Sequence, residues 1–424
     1  MDQGNTAFLL LSAALVLLMT PGLAFFYGGL VKAKSVVSMM MLSFGAMGLI
    51  GVLWVLFGFA IAFPATEVGT IQFPWTIDLG EVGLASLLET PEGAAYPPLA
   101  FVAFQAMFAI ITVALVSGAI ADRAKFGAWM VFATVWAIVV YFPVASWVFN
   151  FGLAEDGSFA YGGWITYGMQ EWFGVGAIDF AGGTAVHINA GAAALALALV
   201  LGRRLGFQKG MNAPHNPPFV LLGAGLLWFG WFGFNAGSEL AADGVAAVAF
   251  INTLAAPAAA LLAWLVVEKI RDGKPTSVGA ASGAVAGLVA ITPACAALTP
   301  GWAIVLGIVA GVLCALAVDL KYVLRFDDSL DVVGIHLVGG LIGTLYLGFF
   351  ANGTGLIYSG DGTQLLVQAI AAFSVMIYSF VLAFVIGWII EKTMGFRVKN
   401  EDEVAGIDLA IHGEAGYVLA DERA

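Results

Sequence analysis

The sequence predicts an all-α polytopic membrane protein of eleven transmembrane helices, arranged as inverted five-helix repeats plus a final helix. Three observations carry that prediction. Hydrophobic residues fill 61% of the 424 positions and charged residues only 10%, whereas soluble domains carry about 25% charged residues. With a mean hydropathy of +0.97, the chain has too little polar surface to wet a globule, so most of it faces lipid. The apolar residues run in long stretches near the ~20 residues a helix needs to cross a bilayer, and every basic residue falls on one side of the resulting topology. This composition excludes secreted, fibrous and disordered classes and counts against nucleic-acid binding. The 54 glycines and 14 prolines suit closely packed or interrupted membrane helices. Cys295 and Cys314 lie in apolar segments, which implies neither a disulfide framework nor a thiolate metal cluster.

In chain order the spans fall at 7–30, 35–63, 99–120, 126–149, 180–201, 219–238, 244–266, 277–298, 302–320, 332–351 and 364–390. The runs are continuous, without the alternation of an outer-membrane barrel. Met1-Asp2-Gln3-Gly4 ahead of the first span lacks the basic stretch of a signal peptide. Lys32 and Lys34 follow the first span, Arg123 and Lys125 the third, and Arg203, Arg204 and Lys209 the fifth. Lys269, Arg271 and Lys274 follow the seventh, Lys321 and Arg325 the ninth, and Lys392, Arg397, Lys399 and Arg423 the eleventh. By the positive-inside rule that face is cytoplasmic, which puts the N-terminus outside and the C-terminus inside a cell membrane. The opposite loops hold only acids, among them Glu67, Asp78, Glu81, Glu155, Asp156, Glu239 and Asp243. They either concentrate cations or simply solubilise the outer face.

Two of the four histidines sit inside spans: His187 in the fifth and His336 in the tenth. Splitting the first ten spans into two fives makes each the histidine of the fifth helix of its half. Aromatic-glycine runs recur in the first span of each half, at Phe25-Phe26-Tyr27-Gly28-Gly29 and Trp231-Phe232-Gly233-Phe234-Asn235-Ala236-Gly237. This is the arrangement of an inverted-repeat transporter with a site near the midplane. Ionisable residues within spans are costly and usually functional. The histidines are therefore either proton-handling groups, able to titrate as a pair if in contact, or satisfied structural donors. Asp179 and Asp331, upstream on the same helices, read as N-terminal caps. Two histidines and a carboxylate could also hold a metal, but no His-Glu-x-x-His occurs and neither aspartate lies one turn from its histidine. No metal and no cofactor are expected. Walker A, Gly-x-Ser-x-Gly and Cys-x-x-Cys sequences do not occur, so nothing supports ATP-driven transport or covalent catalysis, and no enzyme is expected.

The residues then resemble a family. Asp179-Phe180-Ala181-Gly182-Gly183-Thr184-Ala185-Val186-His187-Ile188-Asn189 is similar to the signature of the ammonium transporter (Amt/Mep/Rh) family. Trp231 to Ser238 resembles its span-six motif and Asp331-Val332-Val333-Gly334-Ile335-His336 its span-ten motif. Pro21 to Gly29 and Gln105-Ala106-Met107-Phe108 match the span-one and span-three patterns, and the Amt branch fits better than the Rh branch. The resemblance implies a homotrimer with one pore per subunit, conducting ammonia from ammonium (methylammonium being an analogue). Phe108 and Phe234 would gate each pore, His187 and His336 would line it, and Ser238 and Trp231 would belong to the outer vestibule, with Asp179 structural beside it. The family's recruitment tryptophan is replaced by Phe149, a weaker cation–π partner. Trp147, about 160° away around a helix, cannot substitute.

The resemblance divides the chain into a membrane domain, 1–390, and a cytoplasmic regulatory tail, 391–424. In the tail, Gly395, Arg397, Gly406, Asp408, His412, Glu414 and Tyr417 carry the match. Such tails dock onto the trimer and meet the signal protein PII. Two alternatives remain: an ammonium sensor with little transport, disfavoured because no kinase or cyclase domain is fused, and a membrane metalloenzyme.

Overall fold

The computed structural model describes residues 1–72, 76–153, 159–208 and 213–417. Lys209, Arg423, Glu155 and Asp156 lie outside the described residues. Among the described residues, ten helices are long and apolar enough to cross a membrane: α1 Gln3–Leu30, α2 Ala33–Ala62, α3 Pro98–Ile120, α4 Phe126–Phe149, α5 Gly183–Leu201, α6 Pro217–Glu239, α7 Gly244–Arg271, α9 Pro300–Leu324, α10 Val333–Phe350 and α11 Thr363–Thr393. The predicted eighth span contains a shorter apolar helix, α8 Ser277–Ile291, which breaks into turns around Pro293. Among the described residues there are thus ten candidate spans by length and composition, and the shorter α8 is apolar as well.

The helix starts follow from local chemistry. Asp2, Asn216, Asp243 and Thr276 accept hydrogen bonds from the first free N–H groups of α1, α6, α7 and α8. Prolines occupy the first turns of α3, α6 and α9, where a missing N–H is harmless. Prolines deeper in helices free a carbonyl one turn back, and at Pro143 and Pro257 side chains take it up. Val139 O, opposite Pro143 in α4, accepts from Tyr378 Oη at 2.7 Å, and Ala137–Tyr141 widens into a π turn. Thr253 O, opposite Pro257 in α7, accepts from Trp228 Nε1 at 3.1 Å. One departure from the all-helical expectation is a small sheet of β1 Ile71–Gln72, β2 Phe151–Leu153 and β3 Phe159–Gly163, in the order β1-β3-β2. It ties together the loops after α2 and α4. Its strands are too short and glycine-rich to leave an alternating pattern.

Between helices, apolar lipid supplies no hydrophobic drive, so association depends on close packing. Glycines allow it. A Cβ on Gly223 of α6 would lie 2.6 Å from both Gly22 O and Phe26 Cα of α1, while Gly230 and Gly233 lie against Leu15 and Ser12. Gly307 and Gly311 of α9 meet the backbone of Ala256 and Ala260 on α7 in the same way. Large apolar side chains such as Leu262, Val266, Ile308, Ile377 and Val381 point away from the protein, as lipid contact requires.

The end rich in basic residues is held by buried charge. Arg204 meets Asp327 at 2.9 Å and Asp122 at 3.1 Å, and Arg123, fully buried, donates to Ser329 Oγ and Asp327 O. Burial pushes the Arg123 guanidinium down to about 10 despite the attraction of Asp327. Burial would raise the Asp327 carboxyl, but the Arg204 hydrogen bond and the two guanidinium charges hold it below its usual range.

The α1–α6 contact generates a stability prediction. Gly223→Val should lower stability by about 3 kcal/mol, whereas Gly225→Ala, which meets nothing within 4 Å, should be neutral. Thermal unfolding of the detergent-solubilised protein measures both; equal melting of the two variants would mean the close approach is not needed.

Candidate functional site

The two histidines are brought together from the starts of α5 and α10. Both helices begin in a π turn that carries the histidine, Gly183–Ile188 in α5 and Val333–Leu337 in α10. In α5 the cause is visible. Gly182, at φ +118, reverses the chain, and its carbonyl accepts from both Val186 N and His187 N at 3.0 Å. Gly191 and Gly340 let the two helices close: a Cβ on Gly191 would sit 2.5 Å from Leu337 N, and one on Gly340 3.2 Å from His187 Cβ. His187 Nδ1 and His336 Nδ1 then stand 3.2 Å apart, with both rings buried. In a hydrogen bond between these atoms one ring donates and the other accepts. His187 Nε2 has no hydrogen-bond partner among the described residues.

Aromatic rings cover the pair. Trp231 stacks on His187 at 5.4 Å and 24°, and its Nε1 donates to Thr292 Oγ1 at 2.9 Å. Phe234 lies 6.2 Å from His187 and stacks on Phe108 at 4.2 Å and 27°. Phe234 and both histidines line an apolar void of about 10 Å³, the room of roughly one water. Phe108 lines a second, open cavity of about 730 Å³ together with Phe149, Ser238, Glu239, Gln105 and Asp179. The Phe108–Phe234 stack is therefore the wall between the two spaces.

Some expected neighbours separate. Trp231 was expected in the vestibule with Ser238; it lines the inner void instead, on the histidine side of the wall. Ser238 remains in the open cavity, its Oγ donating to Phe234 O at 2.8 Å. Phe149 is there as well, edge-on to Phe108 at 6.3 Å. Trp147 packs on Tyr378 and Trp164 at 4.8 and 5.7 Å, away from the cavity lining.

Asp179 is a cap. Its carboxylate accepts from Gly182 N, Gly183 N, Thr184 N and Ala185 N at 2.9, 2.5, 2.8 and 3.1 Å, and from the Thr184 hydroxyl. Asp331 is not the side-chain cap expected for α10. It pairs with Lys321 at 2.6 Å, and Asp328 accepts from Val333 N at 2.7 Å instead. Asp331 sits at φ +63, a turn that carries its side chain away from the helix start. Burial pushes the Asp328 carboxyl up to about 6. Thr292 and Glu239 are cavity and contact residues that the motif reading did not single out. Glu239 was legible only as one of the outer acids and as the neighbour of Ser238.

Beyond α11 the tail folds back along the basic end. Lys125 N donates to Phe396 O and Val398 N to Arg123 O, each at 2.9 Å. Arg397 donates to Leu201 O at 3.0 Å and pairs with Glu403 at 2.6 Å. Asp408 accepts from Val37 N and Ser38 N at 3.1 and 2.7 Å, capping the start of α2 from a distant part of the chain. Burial raises the Asp408 carboxyl above its usual range, and those N–H groups pull it back. Gly406, at φ +111, lies against Lys34. The Gly395 turn has φ +72. The His412 ring lies 5.5 Å from Phe126, and Tyr417 Oη meets His215 Nε2 at 2.9 Å. Glu414 is exposed.

Residues 7–417 match the profile described as Ammonium Transporter Family. The ammonium transporter of Mycobacterium tuberculosis (strain ATCC 25618 / H37Rv) is 54% identical over 99% of this chain and 91% of its own length. That of Bacillus subtilis (strain 168) is 42% identical over 98% and 99%. Among solved structures, one titled "Sensor Amt Protein" matches with a TM-score of 0.86 at 28% identity, covering 96% of this chain and 98% of that one. Saccharomyces cerevisiae Mep2 matches at 0.82 and 33%, covering 94% and 91%.

The cap at Asp179 makes a prediction. Asp179→Ala leaves four buried N–H groups without an acceptor and should cost about 3 kcal/mol or more. Asp179→Asn, which keeps one acceptor oxygen, should lie between. Thermal unfolding ranks the three proteins; a neutral alanine variant would mean water replaces the carboxylate there.

Proposed function

The chain belongs to the ammonium transporter family, and we propose that it moves ammonium across a cell membrane by separating the ion into ammonia and a proton. The observation that carries this is the contact of His187 and His336 beneath the Phe108–Phe234 stack, around an apolar void. Ammonium is recruited in the open cavity, where the faces of Phe108 and Phe149 and the Ser238 oxygen receive a small cation. Size alone does not separate ammonium from potassium. The void does, because an unpaired charge there costs several kcal/mol. Ammonium can leave its proton behind and enter as ammonia; potassium has no such option. His187 and His336 offer hydrogen bonds to ammonia and a separate route for the proton.

The same reading takes α8 as a true span, for eleven in all, with the N-terminus outside, the basic end cytoplasmic and 391–424 as the regulatory tail. It takes Phe108 and Phe234 as the gate and places the pore once in each subunit of a homotrimer. The tail contacts through Asp408, Arg397 and Tyr417 would pass the state of the tail to the starts of α2 and α6 and the end of α5, and would present the docking surface for PII. Trp231 then acts on His187 inside the pore and not in recruitment.

Two experiments test this. His187→Ala and His336→Ala should each reduce ammonium-evoked current in proteoliposomes by about a hundredfold or uncouple it from proton movement, with assembly intact by size-exclusion chromatography. Unchanged currents in both would remove the histidines from the mechanism, and a wild type without uptake would leave the sensor. For the tail, truncation after Met394 should leave the oligomer intact, lower transport and abolish PII capture. Asp408→Ala should reproduce part of the transport loss. Full transport together with no PII binding by the intact protein would reduce the tail to a passive extension.

A further inference from the structure

We infer that Glu239 is the charge that captures the cation in the open cavity, supplying electrostatically what Phe149 supplies only weakly through its ring. This rests on the ammonium reading above and deepens it.

Glu239 ends α6 one residue after Ser238, in the short 3-10 turn Gly237–Glu239. The turn is closed by Leu240 N donating to Gly237 O at 3.0 Å, with Leu240 at φ +61. It is pinned to the first turn of α1 by Ala242 N donating to Asn5 Oδ1 at 2.9 Å. Serine hydroxyl and glutamate carboxyl are thereby held on one wall of the cavity, half-buried and not on a free loop.

Two carboxylates stand in the cavity lining among the described residues, and they differ in what they do. Asp179 is saturated by four N–H groups and a hydroxyl. The Glu239 side chain hydrogen-bonds that of Asp243, which lies outside the lining and caps α7 through Val245 N and Ala246 N at 2.9 and 3.0 Å. Two acids in contact keep negative charge at this wall, and among the described residues no lysine, arginine or histidine lines the cavity to neutralise it. A carboxylate on a half-enclosed wall is screened less than one on an open surface, so it raises the local concentration of small cations at the aromatic faces beside it.

The chemistry sets what such a residue can decide. A carboxylate attracts potassium as well as ammonium, so Glu239 governs capture and leaves selection to the wall and void behind it. Potassium should therefore compete at the capture step while never crossing.

The test uses the full-length protein in proteoliposomes at low ionic strength and mildly alkaline pH. Glu239→Gln should raise the half-saturating ammonium concentration about tenfold with little change in maximal rate, whereas Glu239→Asp should stay within about twofold. The gap between wild type and the glutamine variant should shrink as ionic strength rises, and competition by potassium should weaken in that variant. Phe149→Trp in the glutamine background should recover part of the loss. Equal half-saturation in wild type and Glu239→Gln, or equal loss in the aspartate and glutamine variants, would overturn the proposal. If the wild type moved no ammonium, the transport reading would fail separately. Binding of radiolabelled methylammonium to purified wild type and Glu239→Gln would then decide the capture role, with equal binding overturning it.

Discussion

The structure depends on how closely α1 and α6 can approach. Gly223 has no room for a Cβ against Gly22 and Phe26, so the two helices meet backbone to backbone. That contact sets the width of everything at the centre. Met19, Leu23 and Phe26 on α1 and Leu227, Trp231 and Phe234 on α6 line the same small void as the histidines. Pushing the two helices apart by one methyl group would widen that void. Close packing here both holds helices together in lipid and keeps the central space small.

At several places a freed or free backbone group is met by a specific side chain. Asp179 serves the start of α5, Asp328 that of α10, Tyr378 the carbonyl freed by Pro143, and Trp228 the one freed by Pro257. Asp408 extends this beyond the membrane, because the start of α2 is capped by a residue of the tail. The tail therefore replaces local capping for α2, which gives its position a direct mechanical connection to a membrane helix.

Much of this was legible in the sequence. Hydropathy located the helices because lipid leaves little freedom in what a span can contain. The histidine pair stood out because ionisable residues are rare in such segments. What the sequence obscured was depth and local turn geometry. Trp231 was grouped with Ser238 although seven residues of helix separate them, about 10 Å of rise, enough to put them on opposite sides of the Phe108–Phe234 wall. Asp331 resembled a cap by position, but its left-handed backbone hands that role to Asp328. The eighth span read as continuous because its residues are apolar throughout; the break at Pro293 belongs to backbone geometry and not to hydropathy. The tail's contacts left no mark in hydropathy, since they are made by a few residues among many exposed ones.

The joining of the two imidazoles through like atoms, Nδ1 to Nδ1, has a consequence for timing. Such a pair has two mirror arrangements, one with the hydrogen on His187 and one with it on His336. A proton arriving at the far nitrogen of one ring and leaving from the far nitrogen of the other converts the first arrangement into the second. A following proton in the same direction finds the pair set backwards. A pair relaying protons in this way would have to be reset between passages, either by a tautomer exchange or by return of a hydrogen through a guest in the void. A file of water molecules must also turn over after each proton, so a relay through these two rings would share that pause, with tautomer exchange in place of the turning of water.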